Sequence, residues 1–150
     1  MNTLAAHATT TTPPRWYWIV SALALVWMLI GVAAWTADLL MDQSALDAMS
    51  EGQRQLYAAR PGWLFVVYAI AIFSGLLGTV GLLARKPWAK WAFAVSLAAI
   101  VLQFGYTFLI MNAVQLIGAA AAVPFPIIIF SIGALLLWMS IKAERNAWIR

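Results

Sequence analysis

Cysteine is absent from the 150 residues, and histidine occurs once, as His7. The first absence removes disulfides, thiolate metal sites and thiol nucleophiles. The second leaves no pair of imidazoles for a metal or a catalytic relay, so no metal or cofactor is expected. Charge is scarce as well: only 9% of the residues are Asp, Glu, Lys or Arg. None of these lies midway along any of the long apolar runs. A proton-coupled exporter of the small multidrug type needs a membrane-embedded carboxylate. An intramembrane protease needs paired aspartates, a Ser–His pair or a metal-binding motif. Neither set is present, no catalytic residue is assigned, and the chain is not read as an enzyme.

What fills the chain instead is four apolar runs, roughly 16–40, 62–84, 88–111 and 124–141. Each has about the 17–25 residues that a helix needs to cross a ~30 Å hydrocarbon core. A hydrophobic content of 65% and a mean hydropathy of +0.89 exclude a water-soluble fold of this length. The expected fold is all-α, a four-helix transmembrane bundle over residues 15–150, with a short amphipathic surface helix in the first outer loop. The net charge of +4 belongs to residues flanking the spans, so the expected partner is the lipid bilayer and not nucleic acid.

Residues 1–14 are small and polar and end in Pro13-Pro14. They predict a disordered tail. A secretory signal would need a shorter apolar stretch and a stronger basic flank than Arg15, so the first span is expected to be retained. With both termini in the cytoplasm, Arg15, Arg85, Lys86, Lys90, Lys142, Arg145 and Arg150 fall inside. Only Arg54 and Arg60 fall outside. The positive-inside bias therefore selects this orientation. Tryptophan marks the expected interfaces: Trp16, Trp18, Trp88, Trp91 and Trp138 near the inner one, Trp35 and Trp63 near the outer one.

The connections are short. Arg85-Lys86-Pro87 predicts a tight hairpin between the second and third spans, with proline in the first turn of the next helix. Residues 43–59 predict one surface helix. Ser44 is its expected cap, and Leu46, Met49, Leu56 and Tyr57 fall on one side. The uncharged stretch Asn112–Val123 can extend the third span, turn back, or open the fourth. An internal echo also stands out. Trp16 precedes Ser21 by five residues, Trp91 precedes Ser96 by five, and a parallel repeat of two spans would explain it.

Polar groups inside a bilayer are expensive, so they are the first candidates for function. Gln103 is the strongest, ~21 Å along a straight helix from the inner interface; Ser131 comes out at ~20 Å, and Trp27 and Ser74 near ~15 Å. Tyr106 and Thr107 lie one turn outward of Gln103. These six predict a polar stripe along the bundle interior. It would serve either as a small cavity for a neutral solute or as hydrogen-bonding glue between helices. Ala71, Gly75, Gly78 and Gly81 are small residues of the second span, with Ala71-xxx-Gly75 and Ser74-xxx-Gly78 as small-xxx-small pairs. They predict a close helix approach, to another span or to a second copy of the chain.

From Tyr17 onward the chain resembles a group of uncharacterised four-span bacterial inner-membrane proteins. The likeness rests on Tyr17-Trp18-Ile19-Val20-Ser21, Leu56-Tyr57 with Pro61-Gly62-Trp63, Gly78–Leu83, Arg85-Lys86 and Trp88-Ala89. Such proteins often carry the label "sugar transporter". The resemblance implies a multi-pass protein of a bacterial inner membrane. Two functions are then expected. The first is a non-enzymatic packing, accessory or regulatory subunit of a larger membrane assembly. The second is a minimal carrier or facilitator for a small neutral solute such as a sugar, acting as a homodimer because four spans rarely enclose a pathway.

Overall fold

The computed structural model describes residues 11–149. The expected disorder of residues 1–14 therefore falls largely outside the described residues, as do His7 and Arg150. Eight helices and no strand occur among the described residues. They are α1 (Arg15–Leu39), α2 (Gln43–Asp47), α3 (Glu51–Ala58), α4 (Gly62–Leu83), α5 (Ala89–Leu109), α6 (Ala113–Ile117), α7 (Ala119–Ala122) and α8 (Pro124–Arg145). Helices α1, α4, α5 and α8 are each long and apolar enough to cross a membrane; α7 continues into α8. The chain is a multi-pass membrane protein built as an all-α four-helix bundle.

The long helices pack in chain order, α1 on α4, α4 on α5 and α5 on α8. The seam that would close the ring, between α1 and α8, is much looser. It is tight only at the end of the bundle that carries both termini. There the core gathers Tyr17, Leu82, Ala89, Phe93, Leu136, Met139, Ala143 and Ile149. The Trp16 and Tyr17 rings each meet Trp148 edge-on, with centroids 5.5 and 6.0 Å away.

Helix termini explain how this end is fastened. α4 and α8 both finish in a Schellman motif. After α4, Lys86 N–H donates to Gly81 O and Arg85 N–H to Leu82 O. After α8, Trp148 N–H donates to Ala143 O and Ala147 N–H to Glu144 O. The left-handed residues are Arg85 (φ 57°) and Ala147 (φ 54°), where glycine is the usual choice. Side-chain donors add further hydrogen bonds to carbonyls at these two turns. Tyr17 Oη donates to Leu82 O at 2.6 Å, and Arg85 Nε donates to Trp148 O at 2.7 Å. Lys90 Nζ adds an ion pair with Glu144 at 2.6 Å, joining α5 to α8.

Several connections differ from expectation. Pro87 does not open α5. It lies in a turn between the Schellman motif and Trp88, the N-cap of α5. The expected helix over 43–59 is two helices. Asp42, not Ser44, caps α2: its carboxylate accepts from Ala45 N–H at 2.9 Å and from the Ser44 hydroxyl at 2.8 Å. Ser50 and Gln53 then form a reciprocal capping box that starts α3 afresh. Leu46, Met49, Leu56 and Tyr57 are all half-buried, the apolar side anticipated for this segment. α3 packs on α6, and Gly52 is the contact point. A Cβ there would stand 2.1 Å from Leu116 O, so only glycine fits. Asn112 (φ 52°) and Gly118 (φ 83°) fold the stretch 112–123 into α6 and α7. The fourth long helix runs four residues past its expected end, to Arg145.

Candidate functional site

The small residues of α4 set the geometry of the bundle's middle. Gly78 faces the Phe93 ring of α5, which an added Cβ would meet at 2.9 Å. Gly81 faces Ala89 and Trp88 at the same close range. Gly75 is wedged between Met28 of α1 and Ser96 of α5. Ala71 is buried, and its carbonyl accepts from Ser96 Oγ at 2.6 Å, an interhelical bond from α5 to α4. The close partners of this stripe are thus α5 and α1 of the same chain.

Beyond Met28 and Phe93 the packing loosens. A cavity of about 180 Å³ opens among all four long helices. α1 contributes Trp27, Met28, Ile30, Gly31 and Ala34. α4 contributes Tyr68, Ala71 and Ile72. α5 contributes Phe93, Ser96, Ile100, Gln103 and Phe104, and α8 contributes Phe125, Ile129, Ile132 and Gly133. Met28 and Phe93 also belong to the core at the termini end, so they floor the cavity there.

Of the six residues expected in a polar stripe, two line this cavity, Gln103 and Trp27. The Gln103 amide makes no side-chain hydrogen bond among the described residues, so it is not glue in this arrangement. Its backbone carbonyl accepts from Thr107 Oγ1 at 2.8 Å, which keeps that hydroxyl on its own helix. Ser74 likewise donates to Ile70 O within α4. Tyr106 packs edge-on against Trp63, with centroids 4.9 Å apart, and is not part of the lining. Ser131 is exposed on the outer surface of α8 and is not a partner of Gln103. A continuous stripe therefore does not form. Straight-helix depth places a residue along the axis but not around it; two of these hydroxyls bond within their own helix, and the Tyr106 ring packs on α4 instead.

Three residues of the site region were not named as candidate site residues from sequence, although Ser96 stood out in the internal echo and Arg60 as an outer basic residue. Tyr68 lines the cavity, and Ser96 supplies the only interhelical serine bond among the described residues. At the end opposite the termini, Arg60 makes a two-point ion pair with Asp38, at 2.7 and 3.3 Å. The same guanidinium lies over the Tyr57 ring at 4.7 Å. The opposite charges of Asp38 and Arg60 at the facing ends of spans one and two were the readable signal for this pair. Trp35 stacks on Phe65 at 5.1 Å, and its Nε1 is buried without a partner among the described residues.

The lining holds no carboxylate, imidazole or thiol. Among the described residues no cluster of His, Cys, Asp or Glu is placed to hold a metal ion. The arrangement can bind an apolar group and offer it one amide. No protein-family model, curated protein or solved structure matches this chain.

Proposed function

We propose that this chain is a non-enzymatic multi-pass protein of a bacterial inner membrane, with both termini cytoplasmic. In this reading it serves as an accessory or regulatory subunit whose cavity binds rather than conducts. The observation that carries the reading is the blind floor of the cavity. Tyr17, Phe93, Leu136 and Met139 are at most 2% exposed and fill the bundle between the cavity and the termini end. Conduction would require that end to open, against the Tyr17–Leu82, Arg85–Trp148 and Lys90–Glu144 bonds.

The carrier reading draws support from one feature, an unpaired amide in a cavity that all four long helices share. A sugar is a poor match for it. Each sugar hydroxyl brought into such a lining without a partner costs on the order of 1–3 kcal/mol. Reconstitution into proteoliposomes decides between the two. The binding reading expects glucose and glycerol entry no faster than in protein-free vesicles. Entry above that background, abolished by Gln103→Leu in a protein that still folds, overturns it in favour of a carrier.

A further inference from the structure

The cavity's exposed rim lies on two helices only. Every lining residue from α4 and α5 is buried or half-buried, whereas Ile30 and Ala34 of α1 and Phe125 of α8 are exposed. α1 and α8 are also the pair whose seam is loose. The mouth is thus on the side where α1 and α8 meet, both helices long and apolar enough to cross a membrane. Leu29 and Ile128, adjacent in the chain to the lining residues Ile30 and Ile129, are exposed and apolar, a surface suited to lipid rather than to water.

The interior sets the ligand chemistry. A dry apolar cavity of ~150 Å³ takes a benzene-sized group, and this one is of similar size. A half-buried amide facing such a space has donors and acceptors that a hydrocarbon cannot meet. It is complementary to one hydroxyl or carbonyl. We infer that the cavity is a binding site for a neutral amphiphile of the bilayer, an alkyl or isoprenoid chain with a single hydrogen-bonding group. The ligand enters between α1 and α8 and is oriented by Gln103. The inference rests on reading the cavity as the functional site, and it specifies the ligand class that this reading leaves open.

Photolabelling of the full chain in liposomes tests it, with a medium-chain fatty alcohol carrying a diazirine and the matching diazirine hydrocarbon as probes. The alcohol is expected to label the interior positions Ile72 and Phe104, and to exceed the hydrocarbon there by roughly threefold or more, the factor an average hydrogen bond confers in a bilayer. Gln103→Leu should erase that excess. Gly31→Leu should abolish interior labelling by both probes. An added Cβ at Gly31 meets Ile72 at an ordinary 3.7 Å, so the larger side chain fills the cavity without displacing backbone. Labelling of Leu77, exposed on α4, should persist throughout and reports a folded, inserted protein. Interior residues left unlabelled while Leu77 is labelled, no excess of alcohol over hydrocarbon, or displacement by glucose would each overturn the inference. Glucose flux in the proteoliposome assay is a separate result that defeats the binding reading itself; missing interior label without flux defeats only the ligand class.

Discussion

Two serines at matching places in the sequence echo behave differently once folded, and the difference is measurable. Ser96 is buried and donates to the Ala71 carbonyl on the neighbouring helix. Ser21 is fully buried, and its Oγ has no partner among the described residues. Ser96→Ala should therefore lower stability by about 0.6 kcal/mol, and by no more than ~1.7, the span measured for hydrogen bonds between membrane helices. Ser21→Ala removes an unmet hydroxyl and should be neutral or stabilising. Steric-trap or denaturant titration in bicelles reads both. Asp42 makes a second prediction at this scale. Its carboxyl is held below the ordinary 3.8 by the Ala45 amide first and the Ser44 hydroxyl next. A depressed carboxylate stabilises the fold above its unfolded pKa, and that contribution is lost as pH falls through the folded value. The Ala45 amide should thus keep its protection at neutral pH and lose it only below about pH 3.8. Protection unchanged well below that pH, or lost already near neutrality, would contradict the cap.

Among elements, the glycines carry the sharpest tests. An added Cβ at Gly75 would meet Met28 at 2.9 Å and at Gly78 the Phe93 ring at 2.9 Å. Gly75→Leu and Gly78→Leu should each destabilise the bundle by roughly 1–3 kcal/mol, the usual cost of overpacking. Melting unchanged in both would mean that this face of α4 does not meet α1 and α5. Gly52→Ala should free α3 from α6, because the obstacle is the Leu116 carbonyl and not a flexible side chain. Faster amide exchange in both helices checks it. The long helices and the Ala71–Gly81 stripe were legible in the sequence, because length, hydropathy and small-residue spacing act within one segment. What was not legible depended on partners. Gly52 reads as a weak helix residue until α6 stands against it. Ser44 and Asp42 compete for one cap, and the charged oxygen wins. Arg85 in a left-handed turn carries no local signal, since the carbonyl it reaches belongs to Trp148, 63 residues on.

The whole molecule is asymmetric along its axis. The termini end is a filled core fastened by two Schellman turns, a tyrosine, an arginine and an ion pair. The other half holds a cavity whose exposed rim lies on α1 and α8. Six of the seven basic residues expected on the cytoplasmic side lie among the described residues, and all six fall at the termini end. Reporter fusions after residue 150 and within 43–52 should therefore report opposite compartments, the first cytoplasmic; a cytoplasmic signal from the loop fusion would reverse the topology. The polar stripe was the part of the site least legible in the sequence. Depth could be counted from the helix rise, but the rotation that turns Gln103 inward and Ser131 outward is set by packing across helices.

The absence of cysteine makes the central claim, a blind cavity open to lipid, directly measurable. Single-cysteine variants of the intact chain, Ile129→Cys in the lining and Met139→Cys in the core, can be reacted in sealed vesicles of known orientation. A membrane-partitioning maleimide should modify Ile129→Cys and leave Met139→Cys untouched. A charged thiosulfonate should modify neither from either side. Modification of Ile129→Cys by the charged reagent added at the termini side would show an aqueous passage through the bundle and contradict the account.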